Sequence, residues 1–437
     1  MSGRRPTTDE QHARARRLIP GGGHTYSKGD DQFPTNAPAL IERGLGCWCW
    51  DTDGKKWLDF GMGLRSVILG HAYEPVLEAV RTELAKGSNF TRPAPIEGQL
   101  AEQLAALIPC AEMSKFAKNG SDVTSAATRL ARAYTGRDMI AACRDNPFYS
   151  FDDWWIGRTE VAAGIPKAIS DLTVTFQYND LGSLQALFDA HPDRIACVIL
   201  EPVALTAPRD RFLNDVVELA HRHGALVVFD EMISGFRYDL RGAQTMYGVR
   251  PDLATFGKAI ANGFSVAALS GRADVMRLGG LDHDRERVFL LSATHGAETH
   301  ALAAAIATIS EMERHDVAGH VRRLGARLMR GVRAAADKAG VAGLVDCIGF
   351  EASPVLVCKD KSGNPSLPFR TLLLQEMASR SILIPYIAIS LSHSEAEIDL
   401  TIDALGDSLA VYARALEEGV ERHLRGPAVK PVFRRRN

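Results

Sequence analysis

The sequence predicts an α/β protein in which a mostly parallel sheet is covered by helices on both faces. Short, almost uninterrupted apolar runs such as RIACVILEPV and GALVVFDE have the composition of strands buried on both faces. Amphipathic segments such as EGQLAEQLAALIP and DVTSAATRLARAYTG alternate with these runs from about Glu74 onward. The 437 residues, 46% of them hydrophobic, suffice for one large domain and a smaller companion.

The segments that flank this alternating pattern differ from it. Before Glu74, a Gly-rich turn (PGGGH) precedes two strand candidates, and the second contains the hairpin turn DTDGK. After about residue 330, a strand-and-helix segment ends in one long helix. We therefore predict that residues 1–73 belong to a small domain, that residues 74–330 form a large domain, and that residues 331–437 complete the small domain.

Composition excludes several classes of partner. The 51 basic and 53 acidic residues give a formal net charge of −2, so we expect neither nucleic acid nor an anionic membrane as a partner. The chain shows no apolar stretch typical of a secretory signal or a membrane span, which predicts a soluble, cytoplasmic protein. The seven cysteines contain no CxxC pair, so we expect buried reduced thiols and no metal site.

Polar residues end several of the predicted strands, where ligands bind in sheets of this kind. These residues are Glu201, Asp230, Glu231 and Lys258. An acidic residue at a strand end often only caps the next helix, and a lysine often lies at the surface. Lys258, however, lies between an apolar strand and a Gly-containing turn, among small residues. Because burial of an ammonium group is costly, this setting favours a functional amine.

A lysine and a carboxylate together are what the chemistry of pyridoxal 5′-phosphate (PLP) requires. The lysine amine holds the cofactor as a Schiff base, and the carboxylate keeps the pyridine nitrogen protonated so that the ring can accept electrons. FDEMISGFR resembles the FDEVMTGFR motif of the class III (fold type I) aminotransferases, in particular of their glutamate-1-semialdehyde aminomutase branch. TFGKAIANGFSVAALSG similarly resembles TLGKIIGGGLPVGAYGG of the same branch.

The resemblance implies a fold and three site residues. The fold is that of the fold type I PLP transferases: a large domain with a mostly parallel seven-stranded sheet between helices, and a smaller α+β domain built from both chain ends. Lys258 stands at the position of the catalytic Schiff-base lysine, and Asp230 at that of the catalytic carboxylate that binds the pyridine nitrogen. Met232 stands where a side chain packs on one face of the cofactor ring.

Three further segments match the family in order. FAKNGSDVTSAATRLAR resembles its phosphate-binding turn, which places Gly120 and Ser121 at the phosphate, although a serine there often only caps a helix. In NPFYSFDDWW, Phe148 stands where the GCYHGHAD motif has the tyrosine that stacks on the ring, although such aromatic clusters are more often core. In LLSATHGAETH, Thr294 stands where a threonine reaches the cofactor phosphate of a second subunit, which implies a homodimer. Alternatively, Thr294 caps a helix that begins near Ala297.

The substrate-side positions depart from the aminomutase pattern. Lys28 stands at a carboxylate-binding arginine, Leu64 at a pocket tryptophan followed by Arg65, and Pro385 at a gating glutamate. We therefore predict an aminotransferase that takes an amino group from a donor such as glutamate. The acceptor is an aldehyde or ketone, and Lys28 and Arg65 as substrate-binding residues favour an anionic or sugar-derived one. An aminomutase or epimerase using the same cofactor, and a descendant without enzymatic activity, are the alternatives.

Overall fold

The computed structural model describes residues 6–203 and 205–436, so residues 1–5, 204 and 437 of the three predicted segments lie outside the described residues. The strands of the described chain follow in order: β1 (Ile41–Leu45), β2 (Trp48–Asp51), β3 (Lys56–Asp59), β4 (Met113–Ala117), β5 (Met139–Cys143), β6 (Thr173–Phe176), β7 (Ile195–Leu200), β8 (Leu226–Asp230), β9 (Leu253–Phe256), β10 (Ala267–Gly271), β11 (Val345–Ile348), β12 (Val355–Cys358) and β13 (Ile382–Leu383).

The helices of the described chain are mainly long and amphipathic, with several single turns between them. In chain order they are α1 (Thr8–Leu18), α2 (Met62–Arg65), α3 (Glu74–Leu84), α4 (Pro95–Leu107), α5 (Gly120–Thr135), α6 (Asp153–Ile156), α7 (Lys167–Ser170), α8 (Leu181–Ala190), α9 (Phe212–Arg222), α10 (Ala243–Met246), α11 (Ala273–Met276), α12 (Thr299–Arg314), α13 (Val317–Lys338), α14 (Leu367–Ser379) and α15 (Glu395–Glu418). None of the helices in the described ranges is both long and apolar enough to cross a membrane.

The large sheet has seven strands in the order β4-β10-β9-β8-β7-β5-β6. Neighbouring strands are parallel except at β10, which is antiparallel to both β4 and β9. Every residue of β5, β7, β8 and β9 is buried, as expected for strands covered on both faces. The predicted α/β fold with a mostly parallel seven-stranded sheet is confirmed.

Packing divides the described chain into two compact units. The larger unit consists of residues 66–68, 74–319 and 435–436, and it contains the seven-stranded sheet. The smaller unit consists of residues 6–65, 69–73 and 320–434, so it draws on both ends of the chain. It contains the sheet β1-β2-β3-β13 and the hairpin β11-β12. The domain limits inferred from sequence, at 73 and 330, remain a proposal.

The hairpin of β2 and β3 illustrates how local sequence determines structure in the smaller unit. The buried Asp51 carboxylate accepts hydrogen bonds from the backbone N–H groups of Asp53 (3.1 Å) and Lys55 (2.8 Å) and from Trp57 Nε1 (2.8 Å). Gly54 adopts φ 83°, which a residue with a side chain adopts only with strain. The DTDGK sequence therefore forms the predicted turn.

Candidate active site

Lys258 is separated from the end of β9 by one residue, Gly257, and it begins the 3₁₀ turn Lys258–Ala261. Its backbone φ is 46°, in the left-handed region that residues with a Cβ atom rarely adopt. The strand before it and the residues after it are buried, and Lys258 itself is half-buried. Such strain persists where the surrounding structure holds a residue in a required direction. This setting disfavours the alternative that Lys258 is an ordinary surface lysine.

Asp230 ends the neighbouring strand β8, with 3% of its surface exposed. Its Oδ1 accepts hydrogen bonds from Met232 N (3.0 Å) and from the Thr255 hydroxyl (3.3 Å), and Thr255 is its register partner on β9. Burial raises the pKa of the Asp230 carboxyl, and the nearby charge of Lys258 opposes that rise. The structure thus places a buried carboxyl and a lysine at the carboxyl ends of two adjacent parallel strands.

Glu231, the other acidic residue of the pair, has a different role. Its fully buried carboxylate accepts hydrogen bonds from Ala243 N (2.8 Å) and Gln244 N (3.0 Å), at the start of α10, and from the Ser234 hydroxyl. Glu231 therefore binds the first turn of α10, the helix-capping role that the sequence left open for both acids. Asp230 makes no such bond and remains available at the strand end.

Met232 lies between the Lys258 turn and the beginning of α5. A Cβ atom added to Gly257 would lie 2.6 Å from Met232 Sδ, and one added to Gly120 would lie 3.0 Å from the same atom. Both glycines thus leave room for the thioether, which is 7% exposed. This packing brings two predicted site positions, Gly120 and Met232, into one cluster with Gly257, the residue before Lys258.

Helix α5 begins at the predicted phosphate-binding turn. Its N-cap is Asn119, whose side chain accepts from Asp122 N (3.2 Å) and whose backbone N–H donates to the Asp122 carboxylate (3.1 Å). The alternative that Ser121 is the N-cap is therefore wrong. The buried Ser121 hydroxyl accepts a hydrogen bond from Phe151 N (3.0 Å), which leaves its proton to donate. The first backbone N–H groups of a helix bind anions.

The segment after β5 contains Phe148 and lies against α5. The ring of Phe148 is 43% exposed, whereas Tyr149 beside it is buried. The Thr124 hydroxyl of α5 donates to Tyr149 O (2.8 Å), which connects this segment to the phosphate-binding helix. Phe148 is thus exposed, whereas Tyr149 belongs to the core. Of the two interpretations of this aromatic segment, core packing applies to Tyr149, and stacking on a cofactor ring stays possible only for the exposed Phe148.

Thr294 belongs to an exposed segment of the larger unit. Its carbonyl oxygen accepts a hydrogen bond from Asn89 Nδ2 (3.0 Å). The alternative that Thr294 caps a helix beginning near Ala297 is wrong, because α12 begins at Thr299 with Glu298 at its N-cap. The Thr294 side chain therefore has no capping role, and it lies at the surface of this chain.

The two predicted substrate residues lie in the smaller unit. Lys28 is exposed at the end of a 3₁₀ turn, and Arg65 is half-buried. Arg65 Nε donates to the Ser353 hydroxyl (2.8 Å), and its guanidinium lies 5.2 Å from the centre of the Tyr386 ring. Contacts within the smaller unit therefore orient the Arg65 side chain, whereas a solvated surface arginine is not held in one direction.

Sequence reasoning missed two polar residues of this region. Thr255, inside β9, bonds to Asp230. Asn146, three residues after β5, bonds to Tyr149 and to Glu201 at the end of β7. Asn146 had a weak signal, since it lies three residues after the apolar run DMIAAC, which is a predicted strand. Thr255 had none, because nothing in a buried strand distinguishes one threonine from another.

The chemical groups of the cluster suit PLP. A half-buried lysine, a buried carboxyl, a helix N-terminus and an aromatic side chain correspond to the four parts of that cofactor: its aldehyde, its pyridine nitrogen, its phosphate and its ring face. These groups lie together in the larger unit along the carboxyl edge of the sheet.

Comparison with known proteins agrees with this arrangement. The family model of the class-III aminotransferases matches residues 30–350. The chain is 32% identical to a 3-aminobutyryl-CoA aminotransferase of Cloacimonas acidaminovorans, with 92% of this chain and 96% of the relative covered. It is 31% identical to a glutamate-1-semialdehyde 2,1-aminomutase of Syntrophobacter fumaroxidans, with 90% and 95% covered.

Among solved structures, the PLP internal aldimine form of the FumI protein of Sphingopyxis sp. MTA144 has a similar fold. The TM-score is 0.84 at 26% sequence identity, with 94% of this chain and 97% of the other chain covered. The similarity extends over both units, because the covered share exceeds either unit alone.

Proposed function

The chain belongs to the class-III aminotransferases, and we propose that it moves an amino group from an amino acid donor such as glutamate to an aldehyde or ketone. Its family and relatives make it a PLP-dependent transaminase, as predicted. The residues that perform the reaction and the nature of the acceptor are our proposal. One observation carries it: the strained Lys258 lies at a strand end beside the buried carboxyl of Asp230.

Asp230 would hold the cofactor in its reactive state. When bound, PLP supplies an electron sink for the carbon that loses or gains a proton. The Asp230 carboxylate would keep the pyridine nitrogen protonated through a charge-assisted hydrogen bond. Its two hydrogen bonds, from Met232 N and the Thr255 hydroxyl, fix its direction, and burial strengthens its interaction with a positive charge.

Lys258 would have two tasks. Its Nζ would bind the cofactor covalently, and after the donor amine has displaced it, the same Nζ would carry a proton between the donor carbon and the cofactor. Both tasks require one amine in one place. The left-handed backbone at Lys258 and the buried residues that follow it provide that fixed position.

The remaining residues of the cluster would position the cofactor. The N–H groups of Gly120 and Ser121 and the Ser121 hydroxyl would bind the phosphate, helped by the positive end of the α5 dipole. Met232 would pack on one face of the ring and Phe148 on the other. Phe148 supplies the aromatic face but no hydroxyl, so stacking is all that it would contribute there.

We also propose that the protein is a homodimer with shared active sites. Support comes from the exposed Thr294, whose side chain caps no helix, in the segment that matches the phosphate-contacting segment of the family. A two-fold dimer is the commonest closed assembly. In such a dimer, the hydroxyl of Thr294 would complete the phosphate site of the partner subunit.

For the substrate, we propose an acceptor with an anionic group, bound by Lys28 and Arg65. Arg65 is held by the Ser353 hydroxyl and the Tyr386 ring, and an oriented guanidinium can pair with a carboxylate or phosphate. The relatives include both an aminotransferase and an aminomutase, so the family alone does not separate the two reactions. The substrate-side departures at Leu64 and Pro385 favour transfer between two molecules over an internal shift.

A panel of donors and acceptors, followed through the absorbance of the cofactor, tests the proposed reaction. A true donor should convert the yellow form of the enzyme to the colourless amino form, and a true acceptor should restore the yellow colour in a separate step. Lys167→Ala, at an exposed lysine, should behave as the wild type. Conversion of one substrate into its isomer, with no second substrate needed, would contradict the proposal and favour the mutase.

A further inference from the structure

Lys118 and Glu298 form an ion pair that none of the proposed roles uses. Lys118 lies between β4 and α5, directly before the N-cap of α5, and Glu298 is the N-cap of α12. Lys118 Nζ lies 2.6 Å from Glu298 Oε2, and only 24% and 22% of the two side chains are exposed. The hydrogen bond from Lys118 lowers the pKa of the Glu298 carboxyl, which is therefore ionised at neutral pH.

The backbone of Lys118 is held from two sides. Its N–H donates to the Asp122 carboxylate (3.3 Å) in the first turn of α5, and its carbonyl oxygen accepts a hydrogen bond from the Ser265 hydroxyl (2.6 Å). The ammonium group of Lys118 is thus attached to a fixed point of the larger unit. A charge on a fixed point can hold a neighbouring segment with a smaller loss of conformational entropy than a charge on a mobile one.

The segment that ends at Glu298 carries Thr294. The exposed Thr294 begins a turn that ends at residue 297, directly before Glu298. Asn89 Nδ2 donates to Thr294 O (3.0 Å) at the start of this turn. The ion pair with Lys118 lies at its end. The turn that carries the threonine is therefore held at both ends, although its surface is exposed.

A side chain that reaches into a second subunit needs a fixed direction. Ordering a mobile segment during binding costs free energy, and a segment that is already ordered avoids that cost. We infer that Lys118 and Glu298 position the Thr294 hydroxyl for the cofactor phosphate in the partner subunit. This role rests on the proposed homodimer, in which Thr294 completes the phosphate site of the partner subunit.

A different role for Lys118 would be to attract the phosphate in its own chain, since it lies two residues before Gly120. Its ammonium, however, contacts Glu298, whose negative charge offsets the positive one. The two roles differ in the site that a substitution damages. Positioning of Thr294 affects the site of the partner subunit, whereas attraction of the phosphate affects the site of the same chain.

The first measurement compares the dissociation constants of PLP and of pyridoxal, which lacks the phosphate, for the full-length protein after removal of the cofactor. Glu298→Gln and Lys118→Met should each weaken the binding of PLP about threefold, the size of one partly exposed ion pair, and leave the binding of pyridoxal unchanged. The double variant should be no weaker than either single variant, because both substitutions remove the same interaction.

Two variants serve as controls for this measurement. Lys118→Arg keeps the charge and should bind PLP as the wild type does. Lys167→Met removes an exposed ion pair with Asp171 elsewhere in the larger unit and should also bind PLP as the wild type does. Unchanged binding of PLP in both Glu298→Gln and Lys118→Met, or equal weakening of PLP and pyridoxal, would overturn the inference.

Mixed dimers show which site the ion pair serves. One subunit carries Lys258→Ala, so only the site of the other subunit is active. With Glu298→Gln on the Lys258→Ala subunit, the active site receives Thr294 from the altered segment, and half-maximal activity should require about three times more PLP. With Glu298→Gln on the other subunit, the active site receives Thr294 from an intact segment, and the PLP requirement should equal that of the wild type. The opposite pattern, or equal effects in both dimers, would overturn the inference.

The proposed dimer fails by a different result. Thr294→Val, placed in the same two mixed dimers, tests whether the threonine acts across the interface. If Thr294→Val has no effect from either subunit, the proposed sharing of active sites is wrong, and the inference fails with it. If Thr294→Val weakens the binding of PLP in the site of the other subunit and Glu298→Gln does not, only the roles of Lys118 and Glu298 are wrong.

Discussion

The carboxyl edge of the seven-stranded sheet and the turn Met62–Arg65 carry functional candidates on different kinds of backbone. At the sheet edge, Asp230 ends a regular, fully buried strand in register with its neighbour. The turn instead contains four consecutive residues with φ between 40° and 70°, only one of which is glycine. The first arrangement is held by ladder hydrogen bonds, and the second by the packing of the smaller unit around a strained backbone.

This difference in backbone explains why the sheet edge keeps more of the aminomutase motif residues than the turn does. At the sheet edge, Asp230 and Lys258 match their motifs and Met232 replaces one apolar residue, a valine, by another, whereas the turn carries Leu64 and Arg65 at changed positions. Because the shape of the cofactor does not change, the residues at the strand ends that would contact it cannot change either. A turn outside the ladder can change side chains without disturbing that frame, so new substrate preferences can arise there while the cofactor chemistry is retained.

Lys258→Ala should have the largest effect at the sheet edge. Turnover should be abolished, because the proton carrier is lost, while the variant still binds PLP without a covalent bond. Lys167→Ala serves as the control for loss of an exposed lysine. Steady-state assay together with cofactor content after gel filtration checks the prediction. Substantial residual turnover in Lys258→Ala would contradict the proposal that the sheet edge, unlike the turn Met62–Arg65, carries the residues that turnover requires.

Asp230→Asn should lower the rate by about a hundredfold, as expected when one well-placed charged group is lost from an active site. Asp252→Asn is the matched control. Asp252 is equally buried and bonds Val227 N (2.7 Å) and His221 (2.8 Å), but it precedes β9 at the opposite edge of the sheet. That variant should lose thermal stability and keep the cofactor spectrum. A rate for Asp230→Asn near that of the wild type would refute its role.

Thr294→Val should weaken the binding of PLP by about 1–2 kcal/mol, the value of one hydrogen bond to a charged group. Mixed dimers with Lys258→Ala subunits should contain one site with both lesions and one intact site. Activity per intact site should then equal that of the wild type. A monomer in sedimentation, or no recovery in the mixture, would show that each site is built from one chain and that the dimer proposal is wrong.

Arg65→Gln and Lys28→Gln should have the smallest effects, on the substrate side alone. Each should raise the acceptor KM by up to about tenfold and change the donor half-reaction less, because the cofactor frame is untouched. Arg43→Gln, at an arginine that lies over the Trp50 ring in the same unit, is the control. Small and equal effects on both half-reactions would mean that neither residue binds the acceptor.

Much of the fold was predictable from sequence because buried strands carry their own signature. The apolar runs of β5, β7 and β8 identified the sheet, but nothing in β10 indicated that it runs antiparallel to β9. Strand direction follows from the connections and the packing, not from local composition. The start of α12 was predicted two residues early, because Glu298 gives only a weak capping signal.

The candidate site was predictable where one residue type performs one task. Strand ends and motif order led to the proposal of Lys258 and Asp230. Strand-end position alone did not separate Asp230 from Glu231, whereas the motif did, and the structure shows that Glu231 bonds to α10. The hydrogen bond between Asn146 and Glu201, in contrast, joins residues 55 positions apart in the chain. Contacts of that range depend on the register of whole strands, which a single sequence does not specify.

The most direct test of the central claim is to locate the cofactor on the chain. The purified enzyme is reduced with borohydride, digested, and analysed by mass spectrometry, with Lys258→Ala treated in parallel. We predict that the wild type carries the reduced cofactor on Lys258 alone and that the variant carries none. Labelling of a different lysine, or equal labelling of the variant, would contradict the claim that the strand ends of Asp230 and Lys258 form the catalytic centre.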